Sequence, residues 1–326
     1  MKRVLGRSGI EVSALGMGCW AIGGPFYEGE DDLGWGVVDD QVSIRAIHCG
    51  IDQGVTFIDS ADVYGAGHSE SVIGKALAGH RQQVVLATKF GLKFDEQSKQ
   101  VLGTDTSAAH ITSACEASLR RLNTDVIDLY QFHLNDFPAE EAAEVLETLD
   151  SLVDSGKIRS YGWSTDFKDR AETFARNDNC TAIQHQINVI DDSPDVIQVC
   201  EANNLASINR GPLAMGLLTG KYSLDSTIPG EDVRGKNSPV WMQYFQAGKP
   251  NGEWLTKMES VREILTSGGR SLPQGALAWL WGRSENTIPI PGFRNEQQIT
   301  ENAGAMAHGA LSPDQVQEID TILGRS

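Results

Sequence analysis

Short runs of apolar and β-branched residues alternate with longer amphipathic segments along almost the whole chain. The apolar runs have the length and composition of buried strands, and the amphipathic segments have the spacing of helices that bury one face. The candidate strands are Ala14–Met17, Thr56–Asp59, Val84–Thr88, Val126–Gln131, Ile158–Trp163, Ala182–His185, Ala206–Ile208 and Thr287–Ile290. The candidate helices include Gln41–Gln53, Ser69–Leu77, Ser107–Leu122, Glu140–Asp154, Asp195–Asn203 and Pro273–Trp281.

Eight strand–helix units of about 25 to 40 residues each are typical of an α/β fold in which a parallel sheet closes into a (β/α)8 TIM barrel. An open, doubly wound sheet is the competing architecture. No low-complexity tract or Pro/Ser-rich linker divides the chain, so we expect a single domain over residues 1–326.

Three segments lie outside this repeat. Leu5–Val12, interrupted by Ser8 and Gly9, predicts an N-terminal β-hairpin that plugs the barrel floor. Gly23–Asp40 and Ser223–Gly252 are long and carry aromatic residues, which favours loops that cover a site. In a barrel, we expect both loops on the catalytic face.

Composition narrows the classes of function. The 326 residues carry 27 Lys and Arg against 44 Asp and Glu, a formal net charge of −17. Such a chain repels phosphate backbones and anionic membrane surfaces, so we expect neither nucleic acid nor a membrane as partner. The five cysteines are dispersed, without a C-x-x-C pair, and no apolar leader follows the N-terminal Met-Lys-Arg. These features favour a cytoplasmic protein with reduced thiols, and they do not indicate an oligomeric state.

Four titratable residues stand at or just beyond the ends of neighbouring candidate strands, where barrel enzymes place their working groups: Asp59, Tyr64, Lys89 and His133. A Lys ammonium beside a Tyr phenol favours proton exchange by lowering the phenol's pKa, and a carboxylate keeps that Lys charged and oriented. A neutral His imidazole can orient the substrate oxygen. Taken singly, the Asp–Lys pair also reads as a structural ion pair, Tyr64 as a turn residue and His133 as a core residue.

Other chemistries lack a motif. Gly65-Ala66-Gly67 does not complete G-x-G-x-x-G because Glu70 occupies the last position, so the dinucleotide fingerprint of Rossmann folds is absent. His110, Cys115 and Glu116 lie in a helical pattern without a second cluster, so we expect no metal site.

Glycine-containing loops follow the last two candidate strands, where barrels usually bind phosphate. The eighth strand leads through Gly292 to Arg294, a side chain suited to bidentate phosphate binding. Asn209–Lys221, after the seventh strand, is also Gly-rich and contains a Lys able to reach a pyrophosphate. An ordinary turn with surface cations is the alternative interpretation.

Several segments together resemble the aldo-keto reductases, particularly the bacterial type. The resemblance is carried by LGRSGIEVSALGMG near the start, FIDSADVYGAGHSE, ATKFG, DLYQFH, GKIRSYGWS, GLLTGKY and IPIPGFR, in collinear order from Leu5 to Leu323. It implies a (β/α)8 barrel that binds NADPH across its C-terminal face, and it leaves NAD as an alternative cofactor. It also implies that Asp59, Tyr64, Lys89 and His133 form the catalytic tetrad, with Tyr64 as proton donor.

The resemblance further implies a set of cofactor-binding residues. Trp20, Ser164 and Gln184 would meet the nicotinamide, and the loop with Gly211, Pro212, Leu213, Gly216 and Lys221 the pyrophosphate. Gly292, Arg294, Glu301 and Asn302 would surround the adenosine end, with Arg294 on the 2′-phosphate. Three positions in this set depart from the family pattern: Thr165 replaces a common Asn, Arg210 a stacking aromatic residue, and Gln298 a second basic residue.

We therefore predict an NADPH-dependent reductase of aldehydes or ketones, acting on a small apolar or sugar-like carbonyl compound. Trp20, Trp35, Phe90 and the aromatic residues of 241–245 are the expected pocket walls. The alternatives are a cofactor-binding regulatory or scaffold protein of the same fold, like channel β-subunits, and a barrel lyase or isomerase that uses the Asp59–Lys89 pair.

Overall fold

The fold was obtained as a computed structural model that describes residues 1–228 and 230–325, and all eight predicted strands form one parallel sheet in chain order. These strands are β1 (Gly16–Gly18), β2 (Phe57–Asp59), β3 (Val85–Phe90), β4 (Ile127–Phe132), β5 (Ile158–Ser164), β6 (Cys180–Gln186), β7 (Ala206–Arg210) and β8 (Thr287–Pro289).

The sheet closes into a barrel, as predicted, rather than remaining open. A parallel bridge joins Gly18 at the end of β1 to Gly292 just beyond β8, and the Gly18 N–H donates to the Pro291 carbonyl (3.1 Å). A Cβ atom at Gly18 would lie 2.4 Å from the Ile290 carbonyl oxygen, so this close approach requires glycine.

Ten α-helices are described around and beside the barrel. They are α1 (Asp40–Asp52), α2 (His68–Ala76), α3 (Ala108–Leu122), α4 (Ala143–Asp154), α5 (Lys168–Ala175), α6 (Pro194–Ala202), α7 (Gly252–Thr266), α8 (Leu272–Arg283), α9 (Glu296–His308) and α10 (Pro313–Ile322). The six candidate helices correspond to α1–α4, α6 and α8 with shifts of a few residues at their ends. Helices α1 and α9 pack side by side and complete the ring. No described helix combines the length and the apolar character needed to cross a membrane.

The predicted N-terminal hairpin is present, but its strands lie partly outside the predicted segment Leu5–Val12. Lys2–Val4 pairs antiparallel with Glu11–Ser13, and residues 5–10 form the connection through a short 3-10 turn. Leu5 and Val12 are buried among the interior side chains of the barrel. The hairpin therefore covers the floor of the barrel, as the sequence predicts.

The inside of the barrel changes from apolar to polar along the strands. An apolar cluster includes Phe57, Ala87, Leu129 and Ala182 from four strands. Residues two positions further along each strand lie on the same face, and here they are Asp59, Lys89, Gln131 and Gln184. A buried polar layer thus stands above the apolar one, at the C-terminal end of the strands.

Both aromatic loops lie at this C-terminal end and contact each other. Gly23–Asp40 contains a small hairpin, Tyr27–Glu28 with Asp31–Asp32, and Ser223–Gly252 contains another, Phe245–Gln246 with Lys249–Pro250. The Val233 N–H donates to the Gly34 carbonyl across the two loops (2.7 Å). A third hairpin, Leu92–Phe94 with Val101–Thr104, follows β3 and was not predicted.

Candidate active site

Lys89 stands at the centre of the polar layer and uses all three of its N–H bonds. Its Nζ atom lies 2.5 Å from Asp59 Oδ1, 2.7 Å from the Ser60 carbonyl oxygen and 3.4 Å from the Tyr64 hydroxyl. The Lys89 side chain has no exposed surface, and that of Asp59 is 2% exposed. Two acceptors thus hold the ammonium so that its remaining hydrogen points at the phenol oxygen.

Burial and neighbouring charge shift the pKa of Lys89 in opposite directions. Burial would lower the pKa of Lys89, but the contacts with Asp59 and Tyr64 together outweigh it and raise that pKa above its ordinary value. The pKa of Tyr64 is also raised, because burial disfavours the phenolate, while Lys89 partly opposes this shift. At neutral pH the site therefore combines an ammonium with a protonated phenol.

His133 lies beside Tyr64, with ring centroids 5.9 Å apart and the rings almost perpendicular. Burial lowers the pKa of His133 well below its ordinary value, and the positive charges of Lys89 and Arg210 add to this effect. The imidazole is therefore neutral. Its Nδ1 atom is buried and has no hydrogen-bond partner within residues 1–228 and 230–325.

The backbone after Tyr64 explains how a residue five positions beyond β2 returns to the site. Gly65 has φ of +61°, and a Cβ atom there would lie 1.8 Å from the Gly23 carbonyl oxygen. Only glycine permits this contact, which presses the Tyr64 loop against the chain after Trp20.

Gln131 is a polar residue of the site that the sequence analysis did not single out. Its Nε2 atom donates to Asp59 Oδ2 (2.8 Å), and Gln184 Nε2 donates to the same oxygen (2.8 Å) and to Gln131 Oε1 (3.1 Å). The available signal was its spacing, because Gln131 lies two residues before His133 and so shares its face of the strand.

An aromatic wall borders the mouth of the site. Trp20 stacks on Tyr64 at 5.8 Å, packs edge-on against Trp35 at 5.6 Å, and lies 6.3 Å from Trp241. The Trp20 indole N–H donates to the Leu33 carbonyl (3.0 Å). Trp241 is more than half exposed, so this wall remains open to solvent on one side.

The expectation of further pocket walls was partly wrong. Phe90 is fully buried and stacks on Tyr130 and Phe132, side chains of the core outside the barrel interior. Phe90 lies next to Lys89 in β3, so its side chain points to the opposite face of the sheet. Tyr244 and Phe245 are also buried, which leaves Trp241 as the residue of that aromatic segment in the wall.

The predicted nicotinamide residues come from the ends of β5, β6 and β7. Ser164 pairs in register with Gln184, which places the two side by side. The Thr165 hydroxyl donates to the Asn135 carbonyl (2.6 Å) and accepts from the Phe167 N–H (3.3 Å), so it connects the loops that follow β4 and β5. The Arg210 guanidinium forms an ion pair with Asp166.

The predicted pyrophosphate loop has an unusual backbone. Gly211, Ala214, Met215 and Gly216 all have positive φ, between +48° and +91°. Left-handed conformations of Ala and Met are strained by about 1 to 3 kcal/mol each and concentrate at ligand sites. Pro212 and Leu213 are buried beneath this turn, and Lys221 is exposed.

Arg234 supports the same loop from the long aromatic segment. Its guanidinium donates to the Met215 carbonyl (3.1 Å) and the Tyr222 hydroxyl (2.8 Å), and it forms an ion pair with Asp232 (2.8 Å). Arg234 also lies over the Trp35 ring, 4.4 Å from its centroid. One buried cation therefore connects the predicted pyrophosphate loop to the aromatic wall.

The predicted adenosine end lies between β8 and α9. Arg294 is half-buried and its Nη2 atom donates to the Val37 carbonyl (2.6 Å), while the Gln298 side chain accepts from the Arg294 backbone N–H (2.7 Å). Asn302 is buried and donates to the Gly292 carbonyl (3.3 Å). The Glu301 carboxylate accepts a hydrogen bond from Ser271.

Comparisons with known proteins agree with this geometry. A model of the aldo/keto reductase family matches residues 14–323. Aldo-keto reductase YhdN of Bacillus subtilis is 34% identical over 323 residues, 97% of this chain and 91% of that protein. The structure of glycerol dehydrogenase AKR11B4 from Gluconobacter oxydans superposes with a TM-score of 0.81 at 32% identity, covering 99% of this chain and 95% of that one.

A Klebsiella pneumoniae aldo-keto reductase solved in complex with NADPH superposes with a TM-score of 0.70 at 25% identity, covering 100% of this chain and 96% of that one. A family match over nearly the full length and relatives above 30% identity leave no other assignment. The chain belongs to the aldo/keto reductase family of oxidoreductases.

Proposed function

We propose that this protein is an NADPH-dependent reductase that converts the carbonyl group of a small aldehyde or ketone to an alcohol, with Tyr64 as the proton donor. The observation that best supports this proposal is the placement of Lys89, whose three N–H bonds reach Asp59, the Ser60 carbonyl and the Tyr64 hydroxyl. An ion pair that served only to stabilise the fold would not require a buried ammonium oriented toward a phenol.

Each residue of the relay has a separate task. Asp59 keeps Lys89 charged, and Lys89 donates to the phenol oxygen, which directs the Tyr64 O–H toward the pocket. As the substrate oxygen gains negative charge, Tyr64 transfers its proton to that oxygen, and the phenolate that remains is stabilised by the Lys89 ammonium. Neutral His133 supports the reaction by orienting the substrate oxygen.

The residues after β5 to β8 suit a nicotinamide dinucleotide. When bound, NADPH supplies the hydride that the carbonyl carbon accepts. Ser164, Gln184, Trp20 and Arg210 would hold the nicotinamide end, with Thr165 supporting this region through its hydrogen bond to Asn135 in the loop after β4. The fit is supported by the left-handed backbone at Ala214–Gly216, a conformation that concentrates at ligand sites. The Ala214 and Gly216 N–H groups of this turn donate to the Gly211 and Leu213 carbonyls, which fixes its shape.

The remaining predicted cofactor residues would bind the distal half of the dinucleotide. Exposed Lys221 and half-buried Arg294 are cations beside the predicted pyrophosphate and adenosine positions, against a net charge of −17 for the chain. Gln298, Glu301 and Asn302 lie on α9 next to Arg294. The Klebsiella pneumoniae structure with NADPH supports this choice of cofactor.

The substrate class follows from the aromatic wall. Trp20, Trp35 and Trp241 offer ring faces and edges beside the Tyr64 hydroxyl. Aromatic faces bind apolar groups and the C–H faces of sugars and polyols, so we propose small carbonyl compounds of these two kinds. The glycerol dehydrogenase among the similar structures is in keeping with a polyol-related substrate.

Replacement of Tyr64 by Phe tests the reaction. The variant keeps the aromatic stack on Trp20 and loses only the proton donor, so kcat for reduction should fall by about 10² to 10⁴-fold. NADPH oxidation across a panel of aldehydes and ketones would measure this, with NADPH affinity as the control. Full turnover in the variant would rule out the proton-donor role, and cofactor binding without turnover on any substrate would favour the regulatory alternative.

Replacement of Arg294 by Ala tests the cofactor assignment. A charge-assisted contact to the 2′-phosphate is worth about 1.5 to 3 kcal/mol, so NADPH affinity should fall by about 10 to 100-fold. The affinity for NADH should stay the same, because NADH lacks that phosphate. Equal losses for both cofactors in fluorescence titrations would contradict the assignment.

A further inference from the structure

The Asp59 carboxylate is held from two sides, and the proposed relay uses only one of them. Lys89 contacts Oδ1, while the amides of Gln131 and Gln184 both donate to Oδ2 at 2.8 Å. All four side chains are at most 2% exposed. Water is therefore excluded from this layer, and the orientation of the carboxylate depends on these three donors.

The amide orientations are chemically determined. A carboxylate can only accept hydrogen bonds, so each amide must present its NH2 group to Asp59. Gln131 then has its carbonyl oxygen free to accept from Gln184 Nε2, as found at 3.1 Å. Gln184 donates both of its amide N–H groups within the layer, to Asp59 and to Gln131. Its Oε1 atom can therefore accept a hydrogen bond from a nicotinamide carboxamide.

Strand register explains why Gln131 reaches this position. Gln131 pairs with Lys89 of β3 on one side and with Gly162 of β5 on the other. In β5, Gly162 lies level with Gln131, and a Cβ atom there would lie 2.4 Å from the Ala182 carbonyl oxygen of β6, so glycine permits the close approach of these strands. The two amides can therefore meet across β5 and converge on one oxygen.

We propose that Gln131 is a positioning residue of the proton relay: together with Gln184 it fixes the Asp59 carboxylate so that Lys89 keeps its third N–H on Tyr64. Gln184 connects the same carboxylate to the nicotinamide site, so occupancy of the cofactor site and the relay share one amide. This inference rests on the proposed function of Tyr64.

Loss of the Gln131 amide should raise the pKa of Tyr64. The N–H groups offset part of the Asp59 charge, and they stop the carboxylate from turning and drawing Lys89 away from Tyr64. Without them, Tyr64 faces more negative charge and a less well-placed ammonium, so its phenolate is harder to form. The other charged or titratable groups near Tyr64 are Arg210 and neutral His133, which neither amide contacts.

The test is Gln131→Met, which keeps the length and volume of the side chain and removes its polar atoms. We expect the alkaline limb of the kcat/KM profile for reduction to move up by about half a pH unit or more. The near-ultraviolet phenolate titration of Tyr64, isolated by subtracting that of Tyr64→Phe, should move in the same direction. NADPH affinity should stay within about twofold of the unaltered protein.

Two further variants separate positioning from general damage. Gln184→Met should shift the same titration and also weaken NADPH binding. Gln315→Met is the matched control: it loses the bonds of Gln315 to Ser312 and Ser267 at the start of α10, far along the chain from the relay, and should change neither readout. If Gln131→Met does not fold, Gln131→Asn, whose amide is too short to reach Asp59, should produce the same shift.

An unshifted Tyr64 titration in folded Gln131→Met would overturn the proposal and leave Gln131 as a core residue. Failure of the proposed function is distinguishable from this result. If the unaltered protein reduces no carbonyl compound, the reductase assignment is wrong, while the phenolate titration still decides whether Gln131 acts on Tyr64.

Discussion

The barrel contains two buried aspartates bound to cations, one at each end, and they are built differently. At the floor, Asp128 is 1% exposed and accepts from Arg81 (2.8 Å) and Arg159 (2.9 Å), whose side chains are 19% and 54% exposed. At the C-terminal end of the strands, Asp59 is 2% exposed and faces one cation, Lys89, which is fully buried.

The difference lies in where the remaining hydrogen bonds go. At the floor, Arg81 donates to the Val84 and Val126 carbonyls and to Thr124, so it ties neighbouring loops together. At the C-terminal end of the strands, Lys89 directs an N–H to the Tyr64 hydroxyl. The floor pair therefore holds chain segments together, whereas the Lys89 pair directs one donor to the Tyr64 hydroxyl, a group that can exchange a proton.

The largest expected effect comes from removing Lys89, and removal of Arg81 provides the comparison. Lys89→Met should lower kcat for reduction by about 10²-fold or more, because Tyr64 loses the charge that stabilises its phenolate. It should also lower the free energy of unfolding by about 3 to 5 kcal/mol, since Asp59 stays buried without its cation. Arg81→Met at the floor should lower only the stability. Kinetics at saturating cofactor and urea unfolding would measure both, and a loss of turnover in folded Arg81→Met would break the distinction.

A smaller effect is expected from removing the floor carboxylate. Asp128→Ala should lower the free energy of unfolding by about 3 kcal/mol, the lower end for a broken buried pair, because both arginines can turn toward water. The kcat per folded molecule should equal that of the unaltered protein. An altered pH profile in this variant would show that the two ends of the barrel are coupled.

The smallest effect concerns pH. The raised pKa of Tyr64 keeps the phenol protonated below its ordinary value of about 10, and the lowered pKa of His133 keeps it neutral above about 6.5. Reduction needs the protonated phenol, so kcat/KM should be flat between about pH 7 and 9. Alcohol oxidation needs the phenolate, so its rate should rise about tenfold per pH unit over the same range.

Steady-state rates in both directions would test this, and Asp128→Ala should give the same two profiles. An inflection near pH 6.5 that disappears in His133→Asn would show instead that His133 titrates in the working range.

Much of the architecture could be predicted because barrel strands carry local signals. Each of the eight strands is a short apolar run, and each predicted strand overlaps the observed one. The relay residues could be found because they interrupt or follow such runs with charge. Helix α1 shows the same local determination, since Asp39 immediately before it accepts hydrogen bonds from the Gln41 and Val42 N–H groups.

The features that the sequence did not predict correctly depend on strand faces and on contacts between distant segments. Phe90 looked like a pocket residue because it follows Lys89, but side chains alternate across a strand, and it faces the helices. The hairpin 92–104 has weak apolar alternation and is bonded to distant segments, as where the Tyr27 N–H donates to the Lys99 carbonyl. Gln131 was overlooked because its one signal, the two-residue spacing from His133, gives the face of the strand but not the partners of the amide.

By itself, the sequence determined the barrel, the four relay residues as candidates and the family, because strand length, residue alternation and collinear motifs are properties of the chain read in order. Only the tertiary structure decided which acceptors Lys89 reaches, that Trp241 but not Phe90 borders the site, and that Gln131 and Gln184 share the Asp59 oxygen. Those contacts join strands separated by tens of residues, and their distances depend on sheet register and barrel closure, which no local pattern encodes.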